Sequence, residues 1–232
     1  MCGRFALITP SATLVEQFGV TQTSLDLAQV GPRYNVAPTQ PVLTVRTTAV
    51  SPNRELTFLR WGLVPSWAKE IRSGAPLINA RAETVAEKPA FRAAFKRRRC
   101  LLPADGFYEW QKQPGGKQPM YIEMMDKRPF ALAALWEIWH APDGGTLESC
   151  AILTTTPNDL MAPIHDRMPV ILDPADYDQW LNPGPRPDDD LHLLRPYPAE
   201  KMRAYPVSNW VNSPAHDDPQ CLANSQQSTV NR

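Results

Sequence analysis

The stretch RCLLPADGFYEWQ, residues 99–111, decides the fold class. Its two ends, Arg99–Leu102 and Gly106–Gln111, are short runs of apolar and aromatic residues, a composition that is typical of β-strands. Pro103 and Asp105 lie between these runs, and residues of these types favour turns. The stretch therefore predicts two short strands with a turn between them.

Seven further segments share this character, because they are rich in β-branched or aromatic residues and are bounded by Pro, Gly or Asn. They are Pro41–Arg46, Glu55–Trp61, Met120–Met124, Phe130–Trp139, Cys150–Thr155, Val170–Leu172 and Met202–Pro206. Three short segments predict helices: Ser11–Gly19 with Ser11 as its N-cap, Lys88–Arg98 and Pro174–Leu181. We therefore predict an α+β fold that is β-rich, with a curled or barrel-like, mainly antiparallel sheet and a few short helices packed outside.

The length of 232 residues fits a single domain, which we expect to cover residues 1–214. Residues 215–232 contain no aromatic residue and many Gln, Asn and Ser, which predicts a disordered tail. No run of 18 apolar residues occurs, so no membrane-spanning helix is expected. The first residues match neither a signal peptide nor a transit peptide, and we expect a cytoplasmic monomer.

Basic and acidic residues are balanced, with 24 Lys and Arg against 24 Asp and Glu, but they are segregated along the chain. Residues 1–100 carry 14 basic and 6 acidic residues, a net +8, and residues 101–232 carry 10 and 18, a net −8. This asymmetry is compatible with a basic face for a polyanion, or with chance segregation of charges that mix in space. The four cysteines form no CxxC pair, so neither a zinc cluster nor a disulfide framework is expected.

Cys2 is the residue with the most distinctive chemistry. If Met1 is removed, Cys2 presents an amine and a thiol on adjacent carbon atoms. The amine can condense with an aldehyde to a Schiff base, and the thiol can then add to the same carbon and close a thiazolidine ring. Because the second step is intramolecular, it gains on the order of several kcal/mol. The alternative is a buried or oxidisable cysteine without a function.

The rest of the chain carries a series of motifs that follow the start MCGRF in a fixed order. They are RYNVAPTQ at Arg33–Gln40, RWGLVPSW at Arg60–Trp67, LINARAET at Leu77–Thr84, RCLLPADGFYEW at Arg99–Trp110, ILTTTPN at Ile152–Asn158, IHDRMPVIL at Ile164–Leu172 and YPVSNWVN at Tyr205–Asn212. Together they resemble the SRAP family, the SOS response-associated peptidase-like proteins, over about residues 2–212. The resemblance is specific because it rests on the whole ordered set around Cys2.

This resemblance implies an abasic-site processing protein. Such a protein captures ring-opened abasic sites in single-stranded DNA as a thiazolidine crosslink to its N-terminal cysteine. The resemblance also implies lyase-like chemistry on DNA and a peptidase-like, autoproteolytic release of Met1. It implies neither a metal nor an organic cofactor.

Four residues match the family's catalytic positions. Cys2 is the nucleophile, and the Asn79 amide can hydrogen-bond the Cys2 amine and the sugar hydroxyl. Glu109 can move protons during Schiff-base formation, and His165 can act as the base that opens the sugar. Without the family context, Asn79 is equally a turn residue, Glu109 a solvated strand residue and His165 a member of a structural ion pair.

The resemblance also implies a set of DNA contacts, namely Arg4, Pro38, Trp67, Arg81, Lys88 and Thr154. The basic side chains would bind phosphates, and Trp67 would stack on bases or at a duplex junction. Pro38 and Thr154 would contact the substrate through shape and a hydroxyl hydrogen bond. Family members often carry a second aromatic residue after the position of Trp67, where this sequence has Ala68.

Two other functions use the same residues. The chain could be an N-terminal-nucleophile cysteine peptidase, which would turn over peptides and would not depend on an aldehyde. It could also be a non-covalent reader of single-stranded DNA, which would bind in a salt-sensitive manner and form no heat-stable adduct.

Overall fold

The computed structural model describes residues 2–48, 51–71, 75–182, 184 and 190–225, and β-strands dominate them. The strands are β1 (Phe5–Leu7), β2 (Gln22–Thr23), β3 (Arg33–Val36), β4 (Pro41–Thr48), β5 (Ser51–Trp61), β6 (Asn79–Arg81), β7 (Arg99–Ala104), β8 (Gly106–Gln113), β9 (Gly116–Met124), β10 (Phe130–His140), β11 (Thr146–Thr155), β12 (Met168–Pro169), β13 (Ile171–Leu172) and β14 (Met202–Pro206). The α-helices are α1 (Ser11–Gln17), α2 (Arg92–Arg97) and α3 (Tyr177–Leu181). Short 3-10 helices cover Leu27–Gln29, Ala82–Thr84, Pro174–Asp176, Leu191–Leu193, Ala199–Lys201, Asn209–Asn212 and Pro219–Leu222.

The strands form two sheets. The first has the order β14-β9-β8-β1-β3, and all its neighbouring strands are antiparallel. The second has the order β12-β11-β10-β7-β4-β5-β2, with β13 on β10 and β6 on β11. Among the described strands three pairs are parallel: β2 with β5, β6 with β11, and β11 with β5. The predicted β-rich, mainly antiparallel α+β fold with few helices is confirmed, and its strands are divided between two sheets.

The strand β10 is the centre of the second sheet. Its sequence FALAALWEIWH is almost continuously apolar, a pattern that suits a strand covered on both faces, and all but two of its residues are buried. It pairs with β7 on one edge and with β11 on the other. The core therefore runs through β10 and continues into the first sheet, where Phe5 and Phe107 belong to the same apolar cluster.

One buried cation joins two helices to this sheet. Arg99 of β7 donates from Nε to the Trp180 carbonyl at 2.7 Å and from Nη1 to the Phe95 carbonyl at 2.9 Å. Its Nη1 also lies 3.3 Å from a carboxylate oxygen of Asp190. Because Phe95 lies on α2 and Trp180 on α3, the two helices pack outside the sheet, as predicted.

The helix boundaries differ from the predicted ones. The helix expected over 88–98 is regular only over Arg92–Arg97, and the segment expected over 174–181 divides into a 3-10 turn and α3. The first helix starts at Ser11 as predicted, but its N-cap is Pro10. The Ser11 hydroxyl instead donates to the Leu27 carbonyl at 2.9 Å, because Ser11 is buried against that segment.

The expected disordered tail needs correction for residues 215–225. The Asp217 carboxylate accepts backbone N–H groups from Tyr34 at 2.5 Å and Asn35 at 2.9 Å. Cys221 is fully buried in an apolar cluster with Tyr108 and others. The polar composition of this segment did not predict these contacts, because each is made by a single side chain and leaves no pattern in the sequence. Residues 226–232 lie outside the described residues. No helix in the described ranges has both the length and the apolar character needed to cross a membrane.

Candidate active site

Cys2 and Asn79 meet at the point where the two sheets touch. Cys2 lies three residues before β1, the first strand of the first sheet, and is fully buried, and Asn79 begins β6 of the second sheet. The Asn79 side chain donates from Nδ2 to the Cys2 carbonyl at 2.9 Å. Its Oδ1 is buried and has no hydrogen-bond partner among the described residues. An unpaired buried acceptor is costly, so this oxygen is suited to a donor that arrives later.

Trp61 links the chain segments that carry Cys2 and Asn79. Its indole Nε1 donates to the carbonyl of Ile78, the residue before Asn79, at 3.0 Å. Its ring packs edge-on against Phe5 of β1 with centroids 5.4 Å apart. The parallel pairing of β6 with β11 adds backbone support, with Asn79 opposite Ile152. Asn79 is therefore placed by buried contacts on both sides.

Glu109 and His165 form the other half of the cluster. Glu109 lies on β8 and is buried, and this burial raises the pKa of its carboxyl group. His165 lies between β11 and β12, with its Nε2 3.9 Å from Oε2 of Glu109. That distance is too long for a direct hydrogen bond between these two atoms, and the pair attracts through charge only when the imidazole is protonated. His165 remains partly exposed and is accessible to a substrate.

The backbone after His165 sets its tautomer. The Arg167 backbone N–H donates to His165 Nδ1 at 3.0 Å, and the Asp166 carboxylate lies 2.9 Å from the same nitrogen. A backbone N–H can only donate, so it requires Nδ1 to be an acceptor, whereas Asp166 requires a proton there. We assign the neutral ring by the backbone contact, because the Asp166 side chain is almost fully exposed and can turn to solvent. The proton of the neutral ring then lies on Nε2, towards Glu109.

The Cys2 thiol is held in its neutral form. Burial raises the pKa of the Cys2 thiol, and the negative charge of Glu109 raises it further. The charge of Glu109 thus acts on the Cys2 thiol and links the two halves of the cluster. The structure thus brings together all four residues that the resemblance implied as catalytic, while their roles remain predictions.

We expect Glu109→Gln to change the pH dependence of stability. Because the folded-state pKa of Glu109 is raised, the folded chain retains a proton that the unfolded chain loses above a pKa of about 4.3. Wild-type stability therefore falls as pH rises through the window between these two pKa values, and Gln removes this loss. Urea unfolding at about pH 4 and about pH 8 should show the variant gaining stability relative to wild type at the higher pH. An equal difference at both pH values, or the same gain in the exposed control Glu16→Gln, would contradict the prediction.

The predicted DNA contacts lie in different surroundings. Trp67 is 60% exposed and lines an open, mainly apolar cavity of about 770 Å³ with Thr39 and Leu77. Arg81 and Lys88 are exposed, and Pro38 is half-buried beside Thr39. None of the four catalytic candidates lines this cavity, but Leu77 is only two residues before Asn79. The cavity therefore adjoins the site through β6.

Thr154 and Arg4 are less accessible than the other predicted contacts. Thr154 is fully buried, and its hydroxyl lies 3.5 Å from the Ala80 carbonyl of β6. In this arrangement it supports the strand that carries Asn79. Arg4 is half-buried, and its Nη1 is already bonded to Asn35.

Sequence reasoning missed Arg167 as a site residue. Its guanidinium makes two bonds to the Glu83 carboxylate, at 2.6 and 2.9 Å, and one to the Thr154 carbonyl at 2.6 Å. In the His-Asp-Arg segment, Arg167 pairs with Glu83, while His165 itself lies beside the carboxylates of Asp166 and Glu109. The sequence offered one signal for Arg167, its position two residues after the site histidine, but it gave no sign of the partner Glu83, which lies 84 residues away. No three metal-ligating side chains come together in the described part of the chain.

Comparisons with known proteins identify the family to which the chain is related. The sequence profile described as SOS response associated peptidase (SRAP) matches residues 1–214. The Bacillus subtilis protein named abasic site processing protein YoqW is 47% identical over 224 residues, which cover 96% of this chain and 99% of that protein. The Xenopus tropicalis protein named abasic site processing protein HMCES is 36% identical over 222 residues, which cover 83% of this chain and 66% of that protein.

The fold has also been observed in a crystal structure of a Bacteroides thetaiotaomicron protein. The two structures align with a TM-score of 0.85 and 27% sequence identity, covering 97% of this chain and all of that one. Profile, relatives and fold agree over nearly the whole chain, and the chain belongs to the SRAP family.

Proposed function

We propose that this protein senses and processes abasic sites in single-stranded DNA, and that it captures the ring-opened sugar through Cys2 after Met1 has been removed. The observation that carries the proposal is the cluster of Asn79, Glu109 and His165 around residue 2. The abasic-site names of the relatives support the substrate class.

The proposed capture has two bond-forming steps. The Cys2 nitrogen attacks the aldehyde carbon, and the resulting carbinolamine loses one water to give a Schiff base. The sulfur then adds to the same carbon, while the thiol proton passes to the nitrogen. The product is a thiazolidine, and the balance is protein plus DNA less one water. A protonated thiol suits an order in which the amine reacts first, because burial keeps the proton on the Cys2 sulfur until the sulfur attacks the Schiff-base carbon.

Glu109 and His165 supply the proton transfers in this scheme. The raised pKa of Glu109 lets its carboxyl group hold a proton that it can give to the departing hydroxyl of the carbinolamine. His165 takes the hemiacetal proton that must leave for the sugar ring to open, and its partial exposure allows this. The step uses the other tautomer, in which the ring proton has moved by way of solvent to Nδ1, beside the Asp166 carboxylate, so that Nε2 is free to accept a proton. The unpaired Asn79 Oδ1 accepts a hydrogen bond from the Cys2 amine or from a sugar hydroxyl.

The DNA strand would run across the exposed side of this cluster. Arg81 and Lys88 are exposed and would bind phosphates, and Trp67 with Pro38 would contact bases at the cavity. The release of Met1 would be a peptidase-like step at the same site, in which one water hydrolyses the Met1–Cys2 bond. The family's description as a peptidase favours this second activity.

The test uses a single-stranded oligonucleotide whose one uracil has been removed by uracil-DNA glycosylase. We expect wild-type protein to give a heat-stable, slower band on a denaturing gel, with an intact mass equal to the two components less one water. The matched control is the same oligonucleotide after borohydride reduction of its aldehyde, and it should give no band. Intact mass before DNA is added reports the loss of Met1. Turnover of peptides with no DNA adduct would favour the peptidase, and salt-sensitive binding without an adduct would favour the non-covalent reader.

A further inference from the structure

We propose that Arg4 is a positioning residue for Cys2, and that the C-terminal strap, residues 208–225, holds Arg4 in place. The inference rests on the proposed function and adds a role for the end of the chain. Arg4 donates from Nη1 to Asn35 Oδ1 at 2.7 Å and to the Val211 carbonyl at 2.9 Å. Its own carbonyl accepts the Tyr108 backbone N–H at 2.9 Å, and its guanidinium carbon lies 5.6 Å from the centroid of the Trp110 ring.

These contacts leave Arg4 poorly suited to bind a phosphate. A guanidinium binds phosphate in a bidentate manner through its two terminal nitrogens or through Nε and one terminal nitrogen. Both N–H groups of Nη1 are used by Asn35 and Val211. Nε is buried and has no hydrogen-bond acceptor among the described residues. Neither bidentate edge is open, so in this conformation the side chain serves the protein interior.

Asn35 connects Arg4 to the strap. It is fully buried on β3, and its Nδ2 donates to the carbonyls of Val211, Ser213 and His216 at 3.2, 3.0 and 2.7 Å. Because Arg4 can only donate and these carbonyls can only accept, the contacts fix which end of the amide is oxygen. One buried amide therefore binds the N-terminal segment at one end and the C-terminal strap at the other.

Asp217 attaches the strap at the same point. Its carboxylate accepts the backbone N–H groups of Tyr34 and Asn35 and pairs with the Arg33 guanidinium. Hydrogen bonds to an ionised acceptor are about twice as strong as neutral ones. The strap is thus fastened at the β3 residue that binds Arg4.

The consequence for Cys2 follows from chain length. Two residues of extended chain span at most roughly 7 Å, so a fixed Arg4 restricts where Cys2 can lie. Ring closure depends on the sulfur reaching the Schiff-base carbon, and a displacement of about 1 Å can cost about 10²-fold in rate. The contacts of Arg4 should therefore govern the rate of capture more than the affinity for DNA.

Arg4→Lys separates positioning from phosphate binding, because lysine keeps the charge while its nitrogen lies one atom closer to the backbone than Nη1 and so loses the contacts with Asn35 and Val211 at their present positions. We expect its single-turnover crosslinking rate at saturating DNA to fall at least about tenfold, the lower part of the range for a misplaced reacting group. Its affinity for aldehyde-reduced DNA, and the salt dependence of that affinity, should match wild type. A wild-type rate would overturn the proposal. The proposal would also be overturned if Arg4→Ala lowered the slope of log affinity against log salt concentration by about 0.7, because that is the change expected when one phosphate contact with single-stranded DNA is lost.

Asp217→Ala tests the strap, with Asp218→Ala as the matched control. Asp218 lies next to Asp217 but bonds only within the strap, to the Gln220 backbone and the Trp210 indole, among the contacts described. We expect Asp217→Ala to slow crosslinking with unchanged affinity for reduced DNA, and Asp218→Ala to react like wild type. Equal slowing by both variants, or by neither, would overturn the link. If Asp217→Ala does not fold, Asp217→Asn serves instead: it keeps one acceptor oxygen, in the place of the Oδ1 that binds both N–H groups, loses the charge, and should give an intermediate rate. Wild-type protein that forms no adduct would contradict the proposed function instead.

Discussion

Cys2→Ser is expected to form no heat-stable adduct with abasic single-stranded DNA, although it keeps the terminal amine. The amine can still condense with the aldehyde, so the Schiff base forms and hydrolyses reversibly. A hydroxyl is a much weaker nucleophile than a thiol, so the ring closure that makes the adduct permanent is lost. On a denaturing gel after heating, the amount of adduct should equal the background that is seen with DNA that carries no aldehyde.

Borohydride distinguishes the two steps in this variant. Added during the reaction, it reduces the Schiff base to a stable amine, and Cys2→Ser should then give a covalent band. The matched control is Cys150→Ala, which removes a thiol that is fully buried in the core and should leave the adduct yield at the wild-type level. A heat-stable adduct of Cys2→Ser without borohydride would show that the sulfur is not required.

The sequence predicted the long strands well, for a physical reason. Segments such as Phe130–Trp139 carry enough apolar residues to be buried wherever they pair, so their pattern alone identifies them. Strands β1, β3 and β6 have three or four residues and escaped prediction. They form strands because neighbouring strands supply their hydrogen-bond partners. An apolar periodicity over three or four residues is too short to indicate a strand from the sequence.

The candidate site shows a similar division. Motif position selected Asn79, Glu109 and His165, and contacts of these residues link them to Cys2 and to each other, while their catalytic roles stay predictions. It did not predict that Asn35 would bind the Val211 carbonyl 176 residues later. That contact depends on how the C-terminal strap crosses β3, and a polar segment gives no apolar pattern from which its path could be inferred. The contact of Arg4 with the same strap could not be predicted either.

Gly106→Ala is expected to destabilise the fold by about 3 kcal/mol or more, as in severe overpacking of a core. Gly106 begins β8, three residues before Glu109, and lies against the Tyr121 ring. A Cβ atom at this position would lie 2.2 Å from Tyr121 Cζ and 2.7 Å from the Ile122 carbonyl oxygen. The ring cannot easily move away, because it packs between Tyr108 and another tyrosine and is almost fully buried. Urea unfolding should show the loss directly.

Gly31→Ala separates this clash from the general effect of replacing glycine. A Cβ atom at Gly31 meets nothing within 4 Å, and so this control should be neutral or gain about 0.4–1 kcal/mol from a more restricted unfolded chain. The double variant Gly106→Ala with Tyr121→Leu removes the ring atoms that are struck, while the Ile122 carbonyl stays in place. If the ring is the main obstacle, the double variant should be less destabilised than the sum of the two single variants. Strict additivity would mean that the backbone contact, and not the tyrosine, requires a glycine at the start of the strand that carries Glu109.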